Sequence, residues 1–265
     1  MMPSMGHTQK LTASPAVQHE WLRRVEEEYR SASIAHHLTL WLIQIAVSPD
    51  LIRAGLRIAG DEVKHSELSH RAYLAAGGTA GLSLARETLG LRHQESEPLE
   101  HDVTRAAVRV FCLGETVAVP LFKALREGCT VPVARRVLDR VLRDEVRHRE
   151  FGWTLLDWLL HMPMANTLRA VAAQELPAYF GRLRINYGAR AKNLTVIDPA
   201  DRAWGLMPPA EYATAVERTL ERDWIPRFAA HGINAKKAWE ISLSVVAPAQ
   251  APGASIGEVP GRARA

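Results

Sequence analysis

The sequence predicts an all-α fold: a four-helix bundle with a long crossover between its second and third helices, followed by further helices toward the C-terminus. Three observations carry that expectation. Apolar residues recur at three- and four-residue intervals through four long segments, none of which alternates as a strand would. Two of the connections between these segments are short and one is long. The heptad "DEVKHSE" at 61–67 returns almost unchanged as "DEVRHRE" at 144–150.

Each element has its own local reason. The first helix is expected over 17–47, where "SPDL" at 48–51 sets a serine cap and a first-turn proline for the second, over 49–76. "GGTAG" stops the second helix, and the stretch from 77 to 100, with its glycines and Pro98, reads as a connection. A third helix is expected over 101–127, then a turn "GCTVP" with Thr130 as cap, then a fourth over 131–161 ending before Pro163. Beyond these, 164–188 and 209–231 read as helical, the first kinked at Pro177, with an irregular segment around "NLTVIDPADRAWGLMPP" between them. The predicted organisation is a flexible N-terminus (1–16), the bundle (17–161), a helical extension capping it (162–247) and a disordered tail (248–265), whose proline, alanine and glycine leave little to bury.

Composition narrows the class. A chain of 265 residues with 47% apolar and 23% charged residues can bury a substantial core. Cys112 and Cys129 have no CxxC spacing, so neither a disulfide framework nor a sulfur-ligated metal is expected. The first residues lack the apolar run of a signal peptide, and "LTLWLIQIAV" at 38–47 is too short to span a bilayer, which places the expected protein in the cytoplasm. The net charge of +4 reads as arginines on solvated helix faces.

The repeated heptad is the feature with chemistry in it. Glu62 and His65, like Glu145 and His148, are three residues apart on a helix and project from one face, so each pair can hold a cation. Spacing alone is weak, since a chain of this composition would give about 0.8 Glu-x-x-His matches by chance. Glu67 and His70 are such a match, but Glu67 lies five residues and so about 140° around the helix from Glu62, and both pairs cannot face the same core. A two-metal site in a four-helix bundle needs one further carboxylate from each remaining helix. Glu115 answers on the third, a carboxylate inside the apolar "VFCLGETVAVPLF". On the first helix Glu26, Glu27 and Glu28 compete. Glu28 is the nearest to level with the other ligands and has Ser31 and Ala32 one turn on, whereas Glu26 and Glu27 fit a solvated face.

Taken together, Glu28, "DEVKH" at 61–65, Glu115 and "DEVRH" at 144–148 resemble the ferritin-like carboxylate di-iron superfamily, whose oxygen-activating members carry an Asp/Glu-Glu-x-Arg-His motif. The resemblance spans roughly 17–161 and departs from the motif at Lys64, which stands where an arginine belongs. It implies a ferritin-like bundle with Glu28, Glu62, His65, Glu115, Glu145 and His148 as metal ligands. It further implies that Asp61 orients His148 and Asp144 orients His65, with Arg147 supporting both. An extra ligand at His36 or His37 is the weaker reading, because related N-oxygenases place a third histidine on the fourth helix, where Val141 stands. Cys112, one turn before Glu115, reads as a small buried hydrophobe, Trp153 and Trp158 as core, and Arg136, Arg140, Arg143 and Arg147 as a solvated or subunit-contacting stripe.

The ligand set leads to a functional expectation. Four carboxylates and two neutral imidazoles balance two ferrous ions, with manganese as the alternative metal, and leave positions open for dioxygen. The expected protein is a di-iron oxygenase or oxidase that oxidises a small organic substrate by hydroxylation, N-oxygenation or desaturation. It would draw electrons from an external reductase or ferredoxin-type donor and could assemble as a homodimer, with helices three and four and the C-terminal cap walling its pocket. Neither nucleic acid nor a membrane is an expected partner. The alternatives are a ferritin-like ferroxidase, a tRNA-modifying hydroxylase and a helical scaffold without catalysis; a rubrerythrin-like peroxidase would bring a CxxC module that this chain lacks.

Overall fold

The computed structural model describes residues 13–187 and 196–244, and every described regular element is a helix. Four long rods form the centre. α1 (Pro15–Gln44) starts two residues earlier than expected, because the Ser14 hydroxyl accepts from the Val17 amide at 3.2 Å and Pro15 supplies the first-turn φ. Residues 13–16, expected to be flexible, thus include a buried Ala13 and a working cap; 1–12 and the expected tail at 248–265 lie outside the described residues. The chain leaves α1 through Ala46 at φ 56°, with the Val47 amide returning to the Leu42 carbonyl at 3.0 Å, which turns it sharply into α2 (Pro49–Ala75). Gly77 at φ 89° ends α2, where a side chain would be strained.

The connection from 77 to 98 contains one short turn, Arg86–Thr88, and runs back along α1. Ser83 N donates to the Glu26 carboxylate at 2.9 Å, Arg30 Nε to Thr88 Oγ1 at 3.3 Å, and Leu91 N to His37 Nδ1 at 3.0 Å. Glu26 and His37 are therefore engaged in holding the crossover, and His36 is exposed.

The third rod, α3, is a composite: an α-helical turn pair (Leu99–Ala106), a π-helical stretch (Ala107–Glu115) and a second α-helical part (Thr116–Gly128). α4 (Pro132–Leu159) begins at proline with Val131 at the cap position. The expected Thr130 cap is absent: the Thr130 and Val131 amides both donate to the Ala203 carbonyl, at 2.9 and 3.0 Å, so backbone from a distant segment does the capping. α1 and α2 form one antiparallel hairpin, α3 and α4 the other, and α2 packs on α4. This is the expected ferritin-like bundle with its long crossover.

The extension wraps the second hairpin. α5 (Ala165–Asn186) runs through Pro177 without interruption and packs on the start of α3. The segment expected to be irregular holds a short helix, α6 (Pro199–Ala203), because Asp198 caps it from the Ala200 amide at 2.8 Å; 188–195 lie outside the described residues. α7 (Pro209–Thr219, π-helical Leu220–Trp224, then Ile225–Ala230) and α8 (Ala235–Ser244) complete the cap. Its aromatic residues key it into the core: Trp153 meets Phe228 edge-on at 4.9 Å, and Phe180 lies between Trp224 and Trp239. Trp158 packs against the same core at its margin. None of the described helices is long and apolar enough to cross a membrane.

Candidate metal centre

All six side chains singled out as ligands project into the middle of the bundle, one carboxylate each from α1 and α3 and a Glu-x-x-His pair each from α2 and α4. They form two groups of four, Glu28, Glu62, His65 and Glu145, and Glu62, Glu115, Glu145 and His148, in each of which one donor atom per residue lies within 4.8 Å of the others. Glu62 and Glu145 belong to both groups. The three-residue helical spacing makes this sharing possible, since it stacks each Glu one turn from its His on the inner face.

His65 is hydrogen-bonded at one nitrogen, whereas His148 approaches an aspartate at its outer nitrogen without forming a hydrogen bond there. His65 Nε2 lies 3.1 Å from Asp144 Oδ2, and His148 Nε2 lies 3.5 Å from Asp61 Oδ2. Their Nδ1 atoms turn inward: His65 Nδ1 is 3.6 Å from both Glu28 and Glu62 oxygens, and His148 Nδ1 is 3.0 Å from Glu62 and 3.6 Å from Glu145. Both rings are fully buried, yet neither Nδ1 has a hydrogen bond of acceptable geometry, nor does Glu145 Oε2. Buried polar atoms left this way are costly, whereas donor atoms some 3.0–3.6 Å apart are what bonds of about 2.1 Å to one ion, at angles near 90–120°, produce. The residues therefore fit a pair of divalent cations, with Glu28 and Glu115 at the two ends and Glu62 and Glu145 between.

Electrostatics points the same way. Burial, reinforced by the Glu62 charge, pushes the Glu28 carboxyl up to about 8, against the pull of His65. Burial and the neighbouring Glu145 drive Glu115 well above the ordinary carboxylate range. At Glu62 burial also favours the neutral acid, but the two histidines outweigh it and hold the group low. At His65 burial disfavours the cation, yet Glu28 and Glu62 raise it to about 12. A metal-free cluster thus retains protons that two divalent ions would replace.

Around the imidazoles the two aspartates share a pair of arginines. Arg147 Nη2 donates to Asp144 Oδ1 at 2.6 Å and to Asp61 Oδ2 at 3.1 Å. Arg140, one helical repeat earlier, bonds Asp144 and reaches Asp61 at 3.4 Å. The arginine stripe expected to be solvated or subunit-contacting is therefore split: Arg136 and Arg143 are exposed, but Arg140 and Arg147 bridge α4 to α2. Lys64 stays outside this network and pairs with Glu67 on the surface at 2.8 Å. Arg140 escaped the sequence reading because its i, i+4 relation to Asp144 was the one signal, and that is common on solvated helices.

Other residues settle elsewhere. Glu27 accepts from Arg30 at 2.8 Å, Glu67 and His70 face solvent, and Cys112 Sγ lies 3.4 Å from the Gly152 carbonyl with its thiol pushed up by burial. Trp153 donates to Thr116 Oγ1 at 3.0 Å inside the core.

The π-helical stretch had no signature in the sequence. It ends on Glu115, and the wider winding shifts the register by which α3 presents that carboxylate. One carbonyl of the stretch, Cys112 O, accepts instead from Trp224 Nε1 at 3.0 Å. Gly152 lets α4 meet the same stretch closely, since a Cβ there would stand 2.5 Å from Phe111 Cβ.

A cavity of about 180 Å³ opens beside the cluster and touches Glu28, Glu62, Glu115 and Glu145. Its apolar wall comes mainly from α3, with Val110, Leu121, Phe122 and Leu125, and from Ile34 on α1; Tyr187 and Tyr212 close it from the extension. The pocket walls were expected from helices three and four and the C-terminal cap; the third rod and the extension contribute, while α1 takes the place of α4, which contributes Glu145 alone because its remaining inner face is packed against α2 and α3.

No protein-family model and no curated protein matches the sequence. Among solved structures, the fold is similar to a chain described as protein 19 with aldehyde deformylating oxidase activity from Synechococcus, with a TM-score of 0.54 and 19% identity over 87% of this chain and 98% of that one. At that identity the two chains share a fold, and the extension beyond the four rods falls largely within what they share.

Proposed function

We propose that this chain is a di-iron oxidoreductase that uses dioxygen to oxidise a small organic molecule held in the cavity beside its metal pair. The observation that carries the reading is the joining of two buried donor groups through Glu62 and Glu145 next to a pocket with an apolar wall. Iron suits a set of four carboxylates and two imidazoles, with manganese the alternative, and two such ions would supply dioxygen activation by electron transfer. Glu28, Glu62 and His65 would hold one ion with Glu145, and Glu115, Glu145 and His148 the other with Glu62. Asp144 and Asp61, fixed by Arg140 and Arg147, keep each imidazole with Nδ1 directed at the cluster. The apolar wall excludes water from the reacting molecule, and Tyr187 and Tyr212 limit entry. Electrons come from an external reductase or ferredoxin-type partner.

A pocket with an apolar wall, of a size for one small organic molecule and adjoining the donor groups, favours this reading over iron storage. The structural likeness to a protein with aldehyde deformylating oxidase activity is in keeping with it. The test is anaerobic loading with ferrous iron. The expected result is about two irons per chain and, on admission of oxygen, an optical change with oxygen uptake. Chains that keep no iron after reconstitution would mark a helical scaffold, and iron that oxidises and accumulates far beyond two per chain would mark storage.

A further inference from the structure

Resting on that reading, one cation in the cavity wall narrows the substrate class. Four arginines line the space, and three are committed. Arg23 and Arg24 both grip Glu20, with Arg23 Nη2 and Arg24 Nε each 2.9 Å from Glu20 Oε1, and Arg30 holds Glu27 at 2.8 Å. Arg109 has neither a hydrogen bond nor an ion pair with any described residue. The carboxylate nearest it on α5, Glu175, already accepts from Arg105 Nε at 3.2 Å, and its other charged neighbour there, Arg182, repels it. Burial and that repulsion both weaken its hold on its proton, although Tyr179 and Glu175 act the other way.

A half-buried guanidinium with no partner among the described residues stands ready to pair with an anion that a ligand brings to it. We infer that the substrate is a small organic carboxylate, held at its charged end by Arg109 with its apolar body directed toward Glu115. Three features support this orientation. Arg109 and Glu115 sit on the same rod six residues apart, an axial separation of at most roughly 9 Å at 1.5 Å per residue. Between them the cavity-facing residues are Val110 and Gly114, with Ala118 one turn beyond, none of them bulky, so the space along this part of the rod is open. The volume of about 180 Å³ is on the scale of a ~150 Å³ apolar cavity that takes benzene, which suits one ring or a short chain. The planar fork of Arg109 matches a carboxylate with two parallel hydrogen bonds.

The test uses the full-length, iron-loaded protein kept under argon, titrated calorimetrically with benzoate and hexanoate against benzamide and hexanamide. The expected result is at least tenfold tighter binding of each carboxylate than of its amide. Arg109→Gln should bring each pair within about twofold, with Arg109→Lys retaining part of the preference. Equal binding of acid and amide, absence of binding by any of the four, or a preference that survives Arg109→Gln or is unchanged in Arg109→Lys would overturn the inference. Two bound irons without a carboxylate preference would sink this inference and leave the metal reading intact. A preference dependent on Arg109 in a chain that binds no iron would do the reverse.

Discussion

The two helical hairpins offer the same three candidate ligands and support them differently. In the first, Glu28 is buried on an unbroken α-helix, and the exposed Lys64 plays no part around the site. In the second, Glu115 is only partly buried, sits at the end of a π-helical stretch and faces the cavity, while Arg140 and Arg147 on α4 serve the aspartates of both halves. Both hairpins line the cavity, but the arginines around the imidazoles come from the second alone. A repeated heptad thus specifies equivalent ligands without making the halves equivalent.

Removing the shared ligands should break the comparison most severely. Glu62→Ala or Glu145→Ala takes a donor from both groups and should reduce iron from about two per chain to near none, whereas Glu28→Ala should leave about one; metal analysis after desalting reads the difference. Next come the two close helix contacts. A Cβ at Gly152 would stand 2.8 Å from the Phe111 backbone carbonyl carbon, and one at Gly55 would stand 2.4 Å from Thr39 Oγ1, the end of a side chain that can turn away. Gly152→Ala should therefore destabilise the metal-free protein by about 1–3 kcal/mol in chemical denaturation. Gly55→Ala should be within about 1 kcal/mol of neutral, because the helix-propensity gain offsets the lost Thr39–Ala35 hydrogen bond.

The smallest effects should fall on the motif position that differs between the halves. Arg147→Ala leaves Arg140 as the aspartates' remaining arginine, so metal affinity should drop by about three- to tenfold in a competition titration with a chelator. Lys64→Ala should change neither metal affinity nor stability by more than about 0.5 kcal/mol, since its one partner is an exposed glutamate. A large effect at Lys64 would show that the first half has an orienting network of its own.

Much of the architecture was legible because it depends on short-range rules. The four rods follow from apolar periodicity and the α1–α2 turn and the end of α2 from Pro49 and Gly77, whereas Ser14 and Pro15, which start α1, fell in the stretch expected to be flexible; the depth argument placed Glu28 ahead of Glu26 and Glu27. Thr130 misled because its cap was replaced by the Ala203 carbonyl, more than seventy residues away, and Arg140 because a helical ion pair looks the same whether it faces water or a histidine-bound aspartate.

By itself, then, the sequence determined the helical hairpins, the identity of the six inward side chains and the aspartate before each glutamate, since all are fixed by a period of 3.6 residues and by which residues tolerate burial. Only the tertiary structure decided the π-helical winding before Glu115, the sharing of Arg140 and Arg147 between halves, the cavity and the lack of a partner for Arg109 among the described residues. Those depend on which distant surfaces meet: a guanidinium finds or lacks a partner, and a carbonyl such as Cys112 O finds its Trp224 donor, only when the rods and their cap have packed.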